Sequence, residues 1–147
     1  MKRDLARNKV YIDTSALIPF YFKEKFSPVV QQLFESDYFF CLSDLSKIEF
    51  YSSARKKVRM GDTTEAEIKK VFRLFDSHID QQIFSIIDLN TNHFSSASEI
   101  IRSTSKPLRS LDAIHLGIAY SENLLVISYD NIFSETATEF GIEVITK

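Results

Sequence analysis

The stretch KVYIDTSALIPFYF, residues 9–22, sets a carboxylate between two apolar runs. Val10-Tyr11-Ile12 reads as a short buried strand, and Asp13 ends it. Thr14 and Ser15 add two hydroxyls at the same seam. Residues 15–22 then read as a helix with an irregularity at Pro19.

The alternation continues outward from this seam. Ser27-Pro28 reads as an N-cap followed by proline at the first helical position, opening a helix to about residue 35. Residues 38–42 read as a strand. A helix over 44–60 follows, with Gly61 placed as its stop. Thr64 and Glu67 form a capping-box pattern for a helix to about residue 78. Residues 84–89 read as a strand, 92–104 and 110–121 as helices, and 124–127 as a strand apolar on both faces. Residues 136–140 form the core of a short helix ended by Gly141, and 142–145 close the chain as a strand. Uniformly apolar strands separated by helices predict an α/β fold, a mainly parallel sheet sandwiched between helices. No repeat, low-complexity stretch or linker interrupts the 147 residues, which suit one domain over 1–147.

Composition removes several function classes. The net charge of -2 gives no global basic field to draw the chain onto nucleic acid, so any such binding relies on local patches. Cys41 is the single cysteine, which excludes an intrachain disulfide and a zinc cluster of the Cys/His type. Gly61, Gly117 and Gly141 are the only glycines and fit neither a P-loop nor a G-x-G-x-x-G turn. The chain opens with polar residues and holds no apolar run long enough to span a bilayer, so no membrane role is expected and the cytoplasm is the expected location.

Ligand sites in parallel sheets lie beyond the carboxyl ends of the strands. Asp13 ends one strand and Asp130, after Ser128-Tyr129, ends another. Each has a plainer explanation: Asp13 as a helix N-cap, Asp130 as a turn former before Asn131. Asp88 has the same turn-forming explanation and nothing that raises it further. Glu49 matches a capping box with Ser46, but Ser43 and Asp44 offer caps three residues earlier. A helix starting there puts Glu49 beside Leu45, Ile48 and Ser52, at the edge of a buried stripe. Asp112 sits in SLDAIHLGIAY, a helix apolar nearly all round and hence buried. The helix dipole explains its position in the first turn, but a buried carboxylate needs a partner and none is local. His115, one turn on, reads as a hydrogen-bonded packing residue.

Taken together, two of these acids end strands and two lie on helices that pack on those strands. A parallel sheet lets all four converge at one edge. Crowded carboxylates repel, and Mg²⁺ or Mn²⁺, which favour oxygen ligands and keep water, relieves the repulsion.

Along nearly its whole length the chain resembles the PIN-domain ribonucleases, and in size and order the VapC-type toxins of toxin–antitoxin pairs. The resemblance is carried by Asp13-Thr14-Ser15 after the first strand, by Glu49 before ARKKVRMG, by SLDAIHLGIA with Asp112, and by LLVISYDNIF with Ser128, Asp130 and Phe133. It implies a parallel sheet between helices, one or two Mg²⁺ or Mn²⁺ ions, and cleavage of single-stranded or looped RNA. It also implies a homodimer, and an antitoxin whose C-terminal segment blocks the acidic site. On that reading Asp13 and Asp112 hold the principal ion, Glu49 and Asp130 complete the acidic ring, and Thr14 and Ser128 orient waters or carboxylates. Arg55, Lys56, Lys57 and Arg59, with Lys106 and Arg109, are the cations available to RNA phosphates; their plainer reading is a solvated helix face and a solvated loop.

Two other classes share a small acidic α/β frame. A receiver-type phosphoacceptor module needs an acidic pair after the first strand and a Lys on a late one, and the chain has neither. A haloacid dehalogenase-type phosphatase needs D-x-D, where this chain has Asp13-Thr14-Ser15. A catalytically silent PIN-like binding scaffold remains the third alternative.

Overall fold

Four strands and seven helices alternate along residues 8–145, the part of the chain that the computed structural model describes. The polar start at residues 1–4 lies outside them. The strands are β1 (Lys9–Ile12), β2 (Phe39–Ser43), β3 (Phe84–Ile87) and β4 (Leu125–Ile127). All neighbouring pairs are parallel, in the order β3-β2-β1-β4. The helices are α1 (Thr14–Tyr21), α2 (Ser27–Phe34), α3 (Asp44–Arg59), α4 (Glu65–Asp80), α5 (Thr91–Ser103), α6 (Ser110–Ser121) and α7 (Asn131–Glu139). This is the expected sheet between two helical layers.

Side chains alternate across a strand, and here the alternation sorts the core into two kinds of packing. Val10, Ile12, Phe40, Leu42, Ile127 and Phe84 of β3 point to α1–α4, where Phe50 and Phe75 are fully buried. Tyr11, Cys41 and Val126 point to α5–α7, a layer of Ala97, Ala113, Leu116, Ile118, Ala119 and Ala137. Small residues let helices approach closely. A Cβ on Gly117 of α6 would lie 2.5 Å from the His93 carbonyl oxygen and 2.8 Å from the Ala97 nitrogen of α5.

Several expected boundaries shift for local reasons. Phe26, not Ser27, occupies the N-cap of α2. The Ser27 hydroxyl accepts from the Glu24 N–H at 2.8 Å and reaches the Pro19 carbonyl at 2.6 Å, tying α2 to the end of α1. Thr64 caps α4 by accepting from the Glu67 N–H at 3.2 Å. Helix α7 begins at Asn131, five residues earlier than expected, because Asp130 caps it. The expected closing strand at 142–145 reduces to one parallel bridge, Val126 with Val144, since among the described strand residues only Val126 exchanges backbone hydrogen bonds with that segment. Gly61 and Gly141 end α3 and α7 with φ of +78° and +74°, the left-handed region that glycine enters freely.

The topology fixes where a site belongs. From β1 the chain passes by α1 and α2 to β2 on one side, while β4 lies on the other. The connections therefore diverge at the carboxyl ends of β1 and β4, and Asp13 and Asp130 stand there.

Candidate functional site

A cavity of about 710 Å³ opens at that edge, lined by Asp13, Thr14, Ser15, Glu49, Arg109, Asp112 and Asp130 among others. The four carboxylates come from separate elements. Asp13 follows β1 and is buried, with its N–H bonded to the Ile127 carbonyl at 3.0 Å. Asp112 lies in the first turn of α6 and is also buried. Glu49 of α3 and Asp130 before α7 are half-buried.

Each carboxylate is tethered by the chain. The Ser15 and Ser128 hydroxyls donate to Asp13 Oδ2 at 2.6 and 2.8 Å. Arg109 Nε donates to Asp112 Oδ2 at 3.1 Å. Asp130 Oδ1 accepts from the Phe133 N–H at 2.9 Å, so its capping role and its place at the cavity coexist. The Thr14 hydroxyl donates to Glu49 Oε2 at 3.0 Å. Among the described residues, the second oxygens of Asp13, Asp112 and Asp130 take no hydrogen bond from the protein.

The two helical acids titrate in opposite directions. Burial pushes Asp112 above the ordinary carboxylate range; Arg109 opposes this, while the charges of Asp13 and Asp130 add to it. Burial would also raise Glu49, but His115, the Thr14 hydroxyl and Arg109 outweigh it and hold the group below its usual value.

Expectations about the surroundings need correction. Asp112 does have a local partner: Arg109, three residues earlier, whose side chain is 78% exposed. Capping of α3 falls to Ser43, which accepts from the Ser46 N–H at 3.3 Å, so Glu49 is no cap. The apolar stripe expected beside Glu49 is different, because Ile48 is exposed and the buried face carries Ser46, Phe50 and Ala54. Of the six expected cations, only Arg109 lines the cavity. Arg55 makes a two-pronged pair with Glu65 at 2.8 and 2.7 Å, Lys57 pairs with Glu24, and Lys106 pairs with Glu135 at 3.2 Å. Lys56 and Arg59 are exposed and show no ion pair among the described residues.

Three residues escaped the sequence reading as contributors. Ser15 holds Asp13 and accepts from the Tyr129 N–H at 2.9 Å; its adjacency to Asp13 was the available signal. Tyr11 and His115 meet beneath the cavity at 2.5 Å, and no local pattern joins residues 104 apart.

Among the described residues no three His, Cys, Asp or Glu side chains close on a common point, so the carboxylates ring a broad cavity instead of forming a tight cage. Hard oxygen donors with free lone pairs, set wide apart, suit an ion that retains part of its water shell, as Mg²⁺ does with one or two carboxylates. The residues fit such a group.

The PIN domain family model matches residues 10–139, nearly the whole chain. The chain belongs to the PIN domain family. No curated protein sequence matches it significantly. Among solved structures it is similar to the DNA-bound VapBC complex from Salmonella typhimurium, at 18% identity and a TM-score of 0.67, over 93% of this chain and 96% of that one. It is similar to a VapC toxin of Mycobacterium tuberculosis that cleaves the sarcin–ricin loop, at 13% identity and a TM-score of 0.65, over 86% and 93%. A toxin–antitoxin complex from Klebsiella pneumoniae matches at 18% identity and a TM-score of 0.63, over 93% and 96%. At these identities the likeness is one of fold.

Proposed function

We propose that this PIN domain is a metal-dependent endoribonuclease acting on single-stranded or looped RNA, and the toxin of a toxin–antitoxin pair. The observation that supports this best is the meeting of Asp13, Glu49, Asp112 and Asp130, from four separate elements, around one cavity. The family and the toxins among its structural neighbours agree with it. An antitoxin segment that blocks the cavity and a homodimer belong to the same proposal. So does a cytoplasmic setting, where RNA is found; no helix among the described residues is long and apolar enough to cross a membrane.

Asp13 and Asp112 would hold a Mg²⁺ or Mn²⁺ ion, with Glu49 and Asp130 in contact directly or through water. When bound, such an ion lowers the pKa of a coordinated water and neutralises charge on a phosphate. The chain supplies the rest. Ser15 and Ser128 fix one oxygen of Asp13 and leave the other without a hydrogen bond among the described residues. Thr14 fixes Glu49 from the adjacent turn. Arg109, anchored on Asp112, puts a guanidinium at the rim where a phosphate enters. Lys56 and Arg59 extend the positive contact outside it. The exposed pairs of Arg55 and Lys106 are weak enough to exchange a carboxylate for a phosphate.

The test is cleavage of an unstructured RNA with Mn²⁺, paired with melting in the absence of RNA. Asp13→Asn abolishes cleavage while the protein stays folded, and Mn²⁺ raises the wild-type melting temperature by mass action. Full activity in Asp13→Asn, or a melting point indifferent to Mn²⁺, removes the assignment. A folded chain that binds Mn²⁺ and cuts nothing is the silent scaffold.

A further inference from the structure

Beneath the acids runs a chain of buried polar groups that the mechanism above leaves unused. Tyr11 and His115 are fully buried, and so are Ser43 and Ser46. Tyr11 Oη lies 2.9 Å from Ser43 Oγ, 3.1 Å from Ser46 Oγ and 2.5 Å from His115 Nδ1. His115 Nε2 lies 3.0 Å from Glu49 Oε1, a contact short in distance but bent, so that no well-directed hydrogen bond reaches this nitrogen. The far oxygen of Glu49 takes the Thr14 hydroxyl.

The protons along this chain can be counted. Ser43 Oγ accepts from the Ser46 N–H and Ser46 Oγ from the Ser43 N–H, so each serine hydroxyl keeps its own proton to donate. Tyr11 Oη is the nearer acceptor for both, at 2.9 and 3.1 Å, against 3.3 Å between the two serine oxygens. With its lone pairs so filled, Tyr11 has one proton left, and His115 Nδ1 is the remaining neighbour. Nδ1 then accepts, and a neutral imidazole carries its proton on Nε2, facing Glu49. The reverse orientation would point two lone pairs, those of Nε2 and Glu49, at each other in a buried site.

We infer that His115 is a positioning residue for the acidic site, held by Tyr11 in the Nε2–H form so that it fixes the Glu49 carboxylate. The inference rests on the nuclease reading for what Glu49 is positioned to do, and on the geometry alone for the wiring. The bent contact suits a group that straightens when Glu49 turns toward a ligand, since such bonds are commonly misaligned in the empty site. The molecule repeats the arrangement away from the cavity. His93 Nδ1 accepts from the Asn90 N–H at 3.2 Å, and Nε2 faces Glu122 at 2.7 Å. There the imidazole ties α5 to α6 and serves as an internal reference.

The test begins with the ring nitrogens of the metal-free protein, read by long-range proton–nitrogen spectroscopy at neutral pH. Only three histidines are present, and His115→Gln and His93→Gln assign them. His115 is expected to show a bare Nδ1 and a protonated Nε2, matching His93. A proton on His115 Nδ1 overturns the wiring whatever the protein cleaves. The second arm is kinetic. Tyr11→Phe keeps the ring and lowers kcat by about tenfold with little change in KM, the scale of lost orientation behind a ligand. It gives no further loss in a Glu49→Gln background. His115→Gln, which still offers an N–H, retains more kcat than His115→Leu, although leucine suits the apolar helix better and melts higher. Equal Tyr11→Phe losses in both backgrounds, or kcat that follows melting temperature, reduce His115 to packing and overturn the inference. A wild-type chain that cleaves nothing defeats the nuclease reading instead, and the nitrogen spectrum still decides the wiring.

Discussion

Glu49 and Asp112 face one cavity from opposite helical layers, Glu49 from the aromatic side of the sheet and Asp112 from the small-residue side. Burial pushes both toward the neutral acid, yet Glu49 ends below its ordinary value and Asp112 above. The difference lies in their partners. Glu49 has a hydroxyl and an imidazole within 3.0 Å, both on well-buried elements. Asp112 has one exposed guanidinium and two like charges, Asp13 and Asp130. Fixed donors make a carboxylate a permanent anion; crowding makes it a group waiting for a cation.

The largest test of that contrast is to neutralise each acid in turn. Asp112→Asn loses cleavage by at least about 100-fold, roughly 2.7 kcal/mol of barrier. Its folded pKa is raised, so its charge opposes folding at any pH above that value, and the opposition vanishes in acid below the unfolded pKa. Removing the charge therefore raises the melting temperature of the metal-free protein at neutral pH, with about 2–4 °C expected per kcal/mol relieved in a chain of this size. Glu49→Gln moves melting the other way. Its depressed pKa gives stability that is present above the ordinary carboxylate value of about 4.3 and is lost as pH falls through the lower folded value. Both variants shifting melting in one direction would erase the distinction between the two flanks.

Next in size is the support of the Asp112 flank. Gly117→Ala drives a methyl against the backbone of α5, with His93 O at 2.5 Å and Ala97 N at 2.8 Å. Backbone cannot swing aside as a flexible side chain does, so a cost of about 1–3 kcal/mol is expected. Denaturant unfolding should show it as a lower midpoint. Because α6 must move, cleavage falls further than in a surface variant of equal stability; Glu49 loses only the His115 side of its support, while the Thr14 hydroxyl still holds it from α1. An unchanged midpoint would mean that α5 and α6 are less tightly seated than the structure has them.

How much of this could be read beforehand follows from how local each feature is. The strands at residues 10–12 and 124–127 and the acids at their ends were legible, because apolar runs and strand-end carboxylates are short-range patterns. Alternation with helices then gave the parallel sheet, and the sheet gave the shared edge. Ile48 misled: it continued an apolar stripe by spacing, yet α3 turns Ser46, Phe50 and Ala54 inward, since Ser46 must reach Tyr11. The cationic run misled too, because Arg55, Lys57 and Lys106 meet Glu65, Glu24 and Glu135. Those meetings depend on how loops return, as does that of His115 with Glu49, and one sequence holds no trace of it. Arg109 was the exception that local reading should have caught, since three residues on a helical turn bring it beside Asp112.

The smallest test concerns that same Arg109. Its guanidinium opposes the rise of Asp112, and it also reaches Asp130 and Glu49. Arg109→Gln leaves Asp112 to its burial and to its like-charged neighbours, so its pKa climbs further. The acidic limb of kcat/KM at limiting Mn²⁺, which follows the weakest acid of the ring, then moves to higher pH. Glu49 sets no such limb, because His115 and Thr14 remain. The guanidinium is 78% exposed and screened by solvent, so the displacement is small and shrinks as salt rises past physiological strength. A limb that stays fixed in low salt would show that Arg109 serves phosphate alone; one that moves with the Thr14→Val substitution instead would transfer the limb to Glu49 and reverse the order of the two acids.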